Sequence, residues 1–400
     1  MKFPRLAITV TFLLAATGSV RAEFENFDQC LESLAARAEA QGRSPAVLAL
    51  VASLAAQQQV LELDRNQPEF VQTFGRYLAL RLSATRLENG RAQRRQQAEL
   101  LQELTARYGV PGHYLIAFWG LETNYGGYLG NTPTLDALAT LACDARRSDF
   151  FSQEFLIALE LVEREQLNPD VMRGSWAGAM GHTQFLPSTW QRYARDGDGD
   201  QRIDLWNSEA DALASAANFL AQLGWVRGQR WGREVRLPPD FAYELAGRQQ
   251  PRALADWAQL GVRRADGGDL PVADLEAALL VPAGADGPAF LVYDNFNVIM
   301  GWNHSEAYAL SVGLLADQIA GSAGLVQQPP DEPALARAQI KAAQGALAAR
   351  GFDPGPADGL WGPASRSALS AYQATAGERA DGHLDQAALG ALLAPRESGN

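Results

Sequence analysis

Residues 110–127 read VPGHYLIAFWGLETNYGG, and the one acid among them is Glu122. Pro111 suits the first position of a helix, and Gly126 and Gly127 suit its end. Between them, apolar side chains cover most of the helix circumference, and a helix that is apolar nearly all round is buried. The segment therefore predicts a buried helix that carries a carboxyl group.

Aromatic side chains surround that carboxyl at helical spacing: Phe118 and Trp119 precede Glu122 by four and three residues, and Tyr125 follows it by three. Loss of water raises the pKa of a carboxyl, and the negative end of the helix dipole acts in the same direction. A carboxylic acid kept protonated near neutral pH can act as a general acid. A structural glutamate bonded to a backbone amine or an arginine is an equally good interpretation of these residues.

A second segment, SWAGAMGHTQFLPSTW at residues 175–190, mixes small residues with aromatic and amide side chains. Small residues let the backbone approach a ligand closely, and Gln184 offers both a donor and an acceptor. Such a loop suits a sugar. The glycines would equally allow a tight loop that only packs helices together.

Four blocks of sequence resemble the lytic murein transglycosylase B family in order, spacing and wording, across roughly residues 25–322. They are GLETNYG (120–126), GSWAGAMGHTQFLPSTW (174–190), DGDGDQRIDLWNSEADALASAANFLAQLGW (196–225) and YDNFNVIMGWNHSEAYAL (293–310). The resemblance implies a lysozyme-like, mainly helical core with one catalytic glutamate. It also implies cleavage of the N-acetylmuramic acid to N-acetylglucosamine linkage of peptidoglycan, with release of a 1,6-anhydromuramoyl end instead of addition of water.

The matched positions assign roles to individual residues. Glu122 is the acid and later the base. The sugar-contacting positions are Ser175, Gln184, Phe219, Trp302, Asn303 and Tyr308. Trp302 and Phe219 depart from the family, which often has Tyr at both places, and Phe219 removes a hydroxyl from that part of the site.

One carboxyl is enough for this chemistry. Most glycosidases need two acids, whereas a transglycosylase can use the C6 hydroxyl of its own substrate as the nucleophile. No second acid stands out in the matched motifs, although Asp136, Asp144 or Glu154 could fold nearby. Two alternatives stay open: a hydrolytic muramidase that adds water, and a wall-binding scaffold without turnover, which the intact GLETNYG block disfavours.

Residues 196–207, DGDGDQRIDLWN, resemble a 12-residue calcium loop. Position six is Gln201 instead of Gly, and position twelve is not a bidentate acid. The expectation is that no cofactor is required and that any calcium binds weakly; the alternative is an Asp/Gly turn held by side-chain to backbone bonds. The candidate ligands are Asp196, Asp198, Asp200, Asn207 and the carbonyl of Arg202.

The last 60 residues resemble a three-helix peptidoglycan-binding domain. The matching pieces are QGALAARG, ADGLWGPASRSALSAYQ and ADGHLDQAAL, and His383-Leu384-Asp385 replaces the usual glycine-containing turn. A helical domain for a protein partner is the alternative. Before it, SAGLVQQPPDEPALA lacks an apolar period and contains three prolines, which indicates a stiff linker.

The predicted fold class is mainly α: a lysozyme-like helical catalytic core with a small β-containing insertion, and a small three-helix C-terminal domain. Short strands bounded by Pro, Gly and Asp place the insertion within residues 226–300, and residues 305–321 predict a helix that ends at Gly321. The predicted boundaries are a signal peptide at 1–22, a catalytic domain at 23–322, a linker at 323–334 and a peptidoglycan-binding domain at 335–395.

The N-terminal residues predict where the protein is located, and the net charge indicates which class of partner is disfavoured. Lys2 and Arg5 precede a short apolar run and the cleavage pattern Val20-Arg21-Ala22, so the chain is expected to be exported to the periplasm, with no transmembrane segment after cleavage. The net charge of −12 disfavours nucleic acid as a partner.

An oxidising compartment favours a disulfide between the two cysteines, Cys30 and Cys143, over two buried free thiols. The four histidines are scattered without metal-ligand spacing, so no zinc site is predicted.

Overall fold

The computed structural model describes residues 26–65 and 72–394, which form two compact units. The first unit contains residues 26–65 and 129–192, and the second contains residues 72–128 and 193–394. Most of the regular structure is helical, which confirms the predicted class. The predicted signal peptide at 1–22 lies outside the described residues. Among the described residues, the helices are too short or too polar to cross a membrane.

Helices build the first unit, with one two-stranded antiparallel pairing between Thr132–Pro133 and Arg173–Gly174. Ser44 caps one of the helices by accepting the Val47 amide at 3.4 Å, as a serine before a helix commonly does. The helices are Phe27–Ala40, Pro45–Val51, Gln58–Arg65, Thr134–Ala142, Ser148–Arg164 and Pro187–Tyr193, with a 3₁₀ turn at Pro169–Val171.

A disulfide joins Cys30, in the first of these helices, to Cys143, the residue that ends helix Thr134–Ala142. The two Cα atoms lie 5.9 Å apart. Close by in sequence, Arg146 and Arg147 both pair with the buried carboxylate of Asp64. A buried charge needs such partners, because an unpaired carboxylate away from water is costly.

The second unit is built around the helix that carries Glu122, which contacts helices on several sides. Its core continues into the helices that follow the small sheet. The helices are Phe74–Arg81, Ala84–Gln96, Ala98–Tyr108, Gly112–Thr123, Glu209–Gln222, Leu254–Gln259, Asp294–Trp302 and Glu306–Ala320. The last ends at Gly321, whose φ of 112° is the left-handed conformation that glycine adopts easily.

The predicted β-containing insertion is a five-stranded antiparallel sheet with its own apolar cluster around the buried Trp257 and Leu291. Its central strand has residues buried on both faces, which explains why AFLV reads as a continuous apolar run. In spatial order the strands are Arg252–Ala253, Glu276–Leu280, Ala289–Val292, Gly232–Arg236 and Arg263–Arg264, with a 3₁₀ turn at Tyr243–Leu245.

Three helices form the C-terminal module: Arg337–Ala348, Pro363–Ala376 and Gln386–Leu393. Their apolar cluster includes Leu347, Leu369 and Leu392. The buried amide of Gln344 holds the ADGLWG turn, because it donates to Leu360 O at 3.0 Å and accepts the Gly359 amide at 2.9 Å.

The proline-rich linker is not a free tether in this structure. The amides of Val326 and Gln327 donate to the Glu234 carboxylate at 2.9 and 2.7 Å. The module beyond it also contacts the insertion, since Asp381 accepts the Ala285 amide at 2.9 Å. The linker therefore runs along the second unit and the module is docked there.

Candidate active site

The Glu122 helix, Gly112–Thr123, is buried along almost its whole length. This is the behaviour expected of a segment that is apolar all round. Glu122 is half-buried one residue before the helix ends. Its carboxyl is therefore the polar group that this helix presents at its C-terminal end.

The two ends of the helix differ from the prediction. Pro111 lies one residue before the first helical residue, and the helix stops at Thr123 because Asn124 and Tyr125 take left-handed φ values of 51° and 61°. Tyr125 is therefore not on the helix face with Glu122. Its hydroxyl donates to Arg86 O at 2.9 Å, and its ring packs over Gly120, where a Cβ would come within 2.6 Å of it.

Two side chains hydrogen-bond the same oxygen of Glu122. The indole N–H of Trp302 donates to Oε1 at 3.0 Å, and the hydroxyl of Tyr308 bonds Oε1 as well. The site thus brings together three predicted residues from distant parts of the sequence.

Segment 302–308 connects two helices and places both partners. Trp302 is the last residue of helix Asp294–Trp302, and Tyr308 lies in the first turn of helix Glu306–Ala320. Between them, Asn303 Oδ1 accepts the Ser305 amide at 3.1 Å, and Ser305 Oγ accepts the Tyr308 amide at 3.3 Å. Asn303 therefore fixes the turn that sets the position of Tyr308.

Aromatic rings support the carboxyl and its partners. Trp302 packs against Phe118 with ring centroids 4.4 Å apart and against Phe219 at 5.2 Å. Phe219 in turn packs on Tyr193 at 4.6 Å. Phe118, which was predicted to flank Glu122, packs against the Trp302 ring that bonds the carboxyl. Phe219 contributes ring packing to the site and has no hydroxyl.

The hydroxyl of Tyr308 stays protonated in this setting. Burial raises its pKa well above the usual value of a tyrosine, and the adjacent Glu122 carboxylate raises it further. Tyr308 is therefore a neutral hydrogen-bond donor toward Glu122 near neutral pH.

Ser175 and Gln184 lie in the first unit, where their polar atoms bond backbone groups of their own loop and of Leu129. Ser175 Oγ accepts the amides of Ala177 and Ala179 at 3.2 and 3.1 Å. Gln184 Nε2 donates to Leu129 O and to Gly181 O at 3.0 and 2.9 Å. These bonds agree with the interpretation of the segment as a tight loop. The contact of Ser175 and Gln184 with sugar stays a prediction.

Three other acids were candidates for a second catalytic carboxyl, and each has a structural partner in the first unit. Asp136 accepts the Ala55 amide at 2.7 Å, and Asp144 pairs with Arg65 at 3.6 Å. Glu154 is buried and accepts both the amide and the hydroxyl of Ser188, at 2.9 and 2.6 Å. These contacts give all three acids a role in holding the fold.

At the candidate calcium loop, three carboxylates lie close together, and the sequence did not indicate one of them. Among the described residues, Asp196, Asp198 and the buried Asp211 have carboxylate oxygens within 4.8 Å of one another. Burial raises the pKa of Asp211, and the charges of the other two add to the effect. Because Asp211 follows the loop, inside helix Glu209–Gln222, a 12-residue pattern could not include it.

The other predicted ligands of that loop are engaged with their neighbours. Asp200 Oδ1 accepts the Arg202 amide at 2.8 Å, and Asn207 Nδ2 donates to Asp204 Oδ2 at 2.8 Å. Asp196 accepts two backbone amides as well, one of them from Gln201, whose φ is 70°. The structure thus shows the Asp/Gly turn held by side-chain to backbone bonds, and three carboxylates of a chemistry that suits a hard cation.

Two protein families and several solved structures match this chain. The transglycosylase SLT domain family matches residues 26–317, and the peptidoglycan binding domain family matches residues 336–392. SltB3 from Pseudomonas aeruginosa, solved in complex with NAG-anhNAM-pentapeptide, is 43% identical, with a TM-score of 0.88 over 92% of this chain and 99% of that one.

Two further matches come from Escherichia coli. Membrane-bound lytic murein transglycosylase B of strain K12 is 33% identical over 253 residues, which is 61% of this chain and 67% of that protein. Lytic transglycosylase Slt35, solved in complex with calcium, is 30% identical, with a TM-score of 0.63 over 74% of this chain and 92% of that one.

Proposed function

The chain belongs to the lytic transglycosylase family, and from this premise we propose that Glu122 is its single general acid and base. The protein is a peptidoglycan lytic transglycosylase, an enzyme that acts on the glycan strands of the cell wall. The observation that carries the assignment is the half-buried carboxyl of Glu122 at a helix end, bonded by Trp302 and Tyr308.

In the proposed reaction, Glu122 first protonates the oxygen that links N-acetylmuramic acid to N-acetylglucosamine. The resulting carboxylate then accepts the proton of the C6 hydroxyl, which attacks C1 of the same sugar and closes the 1,6-anhydro ring. Because the nucleophile is tethered to the reacting sugar, the attack is unimolecular. One carboxyl serves both steps, so the reaction needs neither a second acid nor an attacking water.

Six residues are proposed to contact the sugars, and the support for them differs. Tyr308 touches Glu122 directly, and Asn303 holds the turn before it. The proposal for Ser175 and Gln184 is supported by their match to family positions. The complexes of SltB3 with NAG-anhNAM-pentapeptide and NAG-NAM-pentapeptide support the class of substrate. Phe219 and Trp302 complete the set.

Product analysis tests the reaction type. We expect digestion of purified wall sacculi to release fragments that are lighter by one water than the hydrolysed ones, which mass spectrometry distinguishes. Fragments with the full mass of a reducing end would make the enzyme a hydrolytic muramidase. Absence of any released fragment would favour the wall-binding scaffold.

We further propose that the chain is exported to the periplasm. The family acts on the cell wall, and residues 1–22 have the pattern of a cleaved signal peptide. N-terminal sequencing of the protein recovered from a periplasmic extract should begin at Glu23. Retention of residues 1–22 in the mature protein would contradict cleavage.

Calcium is proposed to bind weakly at the group of Asp196, Asp198 and Asp211. The calcium complex of Slt35 and the mutual repulsion of the three carboxylates support a cation here. Gln201 at position six and Asn207 at position twelve count against a tight site. The ion is not assigned a part in the reaction.

Addition of 1 mM calcium should therefore stabilise the protein only slightly. With a dissociation constant of about 1 mM, the gain in unfolding free energy is about 0.4 kcal/mol. Thermal melts with calcium and with chelator measure it. Asp198→Ala should abolish the small shift, whereas the exposed Asp240→Ala should keep it. A shift of many degrees would show that the loop is a strong site.

The C-terminal module is proposed to bind the wall, as its family match and its own apolar cluster support. A chain cut after Gln328 keeps the contacts of Val326 and Gln327 with Glu234, and it loses exposed ion pairs such as Arg379 with Asp286, each worth at most about 1 kcal/mol. We expect it to fold, to cleave soluble glycan fragments, and to sediment less with intact sacculi.

The binding measurement uses Glu122→Gln in the full-length and shortened chains, so that the wall is not digested during the assay. The fragment from Pro333 onward should sediment with sacculi by itself. If it does not, the wall-binding role of the module is wrong, and a protein partner becomes the better interpretation.

A further inference from the structure

The two donors to Glu122 both approach Oε1. An indole N–H can only donate, and the neutral hydroxyl of Tyr308 has Glu122 as its partner. A carboxylate oxygen offers two lone pairs, and both lone pairs of Oε1 are filled by these donors. The proton that the acid transfers is therefore carried by Oε2.

The indole of Trp302 is held so that its N–H points at the carboxyl. Phe118 packs against it from the Glu122 helix itself, four residues before Glu122, and Phe219 packs against it from helix Glu209–Gln222. The same helix thus carries the carboxyl and one of the rings that orient its donor. Because these rings pack against the indole, part of the indole surface is covered by other side chains of the protein.

The family match alone placed Trp302 among the sugar-contacting positions. We propose that it is instead a positioning residue for the acid. Its N–H and the Tyr308 hydroxyl anchor Oε1, and these two bonds fix the orientation of the whole carboxyl group. This inference rests on the proposed role of Glu122.

The two donors act in opposite directions on the two chemical steps. In the first, the proton moves from Oε2 to the glycosidic oxygen, the C1–O bond breaks with its electron pair on that oxygen, and the negative charge left on Glu122 is stabilised at Oε1. In the second, the C6 oxygen bonds C1 and its proton returns to Oε2. The donors therefore strengthen the acid and weaken the base.

Trp302→Phe tests the proposal, because it removes the N–H and keeps an aromatic ring. A hydrogen bond to a charged group changes equilibria by about 10-fold or more, so we expect kcat to fall about 10-fold. KM should change by less than about twofold. The high-pH limb of the kcat profile should move up by about one pH unit, because a carboxyl with one donor fewer holds its proton to higher pH.

Two further variants separate the donor from the packing. Phe219→Leu loosens the support of the same indole without removing its N–H, and it should leave the high-pH limb in place even if the rate falls. Should Trp302→Phe fail to fold, a tryptophan analogue with sulfur in place of the indole N–H, installed at position 302 alone, keeps the shape. It should shift the limb as Trp302→Phe does.

The outcomes are distinct. A raised KM with an unmoved pH limb would make Trp302 a sugar-stacking residue and overturn the proposal. A lower kcat with an unmoved limb would make it a packing residue and overturn the proposal as well. Activity of Glu122→Gln is measured alongside. If that variant is active, the proposed role of Glu122 fails first, whereas an inactive Glu122→Gln with an unchanged Trp302→Phe refutes this inference alone.

Discussion

Glu122→Gln is expected to lower kcat by about 10⁴-fold or more. General acid–base catalysis is typically worth about 10²–10⁴-fold, and here one group serves both proton transfers. Glutamine keeps the shape, and its carbonyl oxygen can accept the bonds of Trp302 and Tyr308, yet the NH₂ group that replaces Oε2 has no acidic proton to transfer. Fragment release from sacculi measures the rate, and sedimentation with sacculi should show that binding survives.

Glu154→Gln is the matched control. Its carboxyl is buried and bonded to Ser188, and glutamine can accept at least one of those bonds. We expect this variant to retain most of its activity. Retention of a third of wild-type activity by Glu122→Gln would contradict the assignment of the acid. Loss of activity in both variants, with the fold intact, would point to a second catalytic acid and to hydrolysis.

The central helix could be predicted from sequence because its signal is local. A segment that is apolar on every side has no stable place except the interior, and the one acid in it stands out. The C-terminal helices and the strands of the insertion were predicted for the same reason, since their periods and glycine ends lie within a few residues. Local patterns thus sufficed for most elements of the mainly helical fold.

Contacts between distant segments could not be predicted by physical reasoning from local patterns. The bond from Trp302 to Glu122 spans 180 residues, and only the family resemblance linked the two positions. Asp211 was missed because it joins Asp196 and Asp198 from the following helix. The prediction that Tyr125 flanks Glu122 on the same helix was wrong. The sequence NYGG does not indicate that Asn124 and Tyr125 both take left-handed φ values before the glycines.

Loss of the disulfide between Cys30 and Cys143 is expected to lower the unfolding free energy by about 4 kcal/mol. The bond spans a sequence separation of 113 residues, and closure of a loop of that length restricts the unfolded chain strongly. Both cysteines are half-buried, so Cys30→Ser with Cys143→Ser should cost little beyond the lost cross-link. Urea unfolding of the double variant and of the oxidised wild type measures the difference.

The effect should appear first in the residues that the bond joins. Helix Phe27–Ala40 and helix Thr134–Ala142 both belong to the first unit, so their amide hydrogens should exchange faster in the double variant. The bonds among Glu122, Trp302 and Tyr308 lie in the second unit, and initial rates at 25 °C should therefore change little. A reducing agent supplies the control, because it should destabilise the wild type to the same extent and leave the double variant unchanged. Equal stability of reduced and oxidised wild type would mean that the loop is already restricted in the unfolded chain or that the bond does not form in solution, and thiol titration of the denatured protein decides between the two.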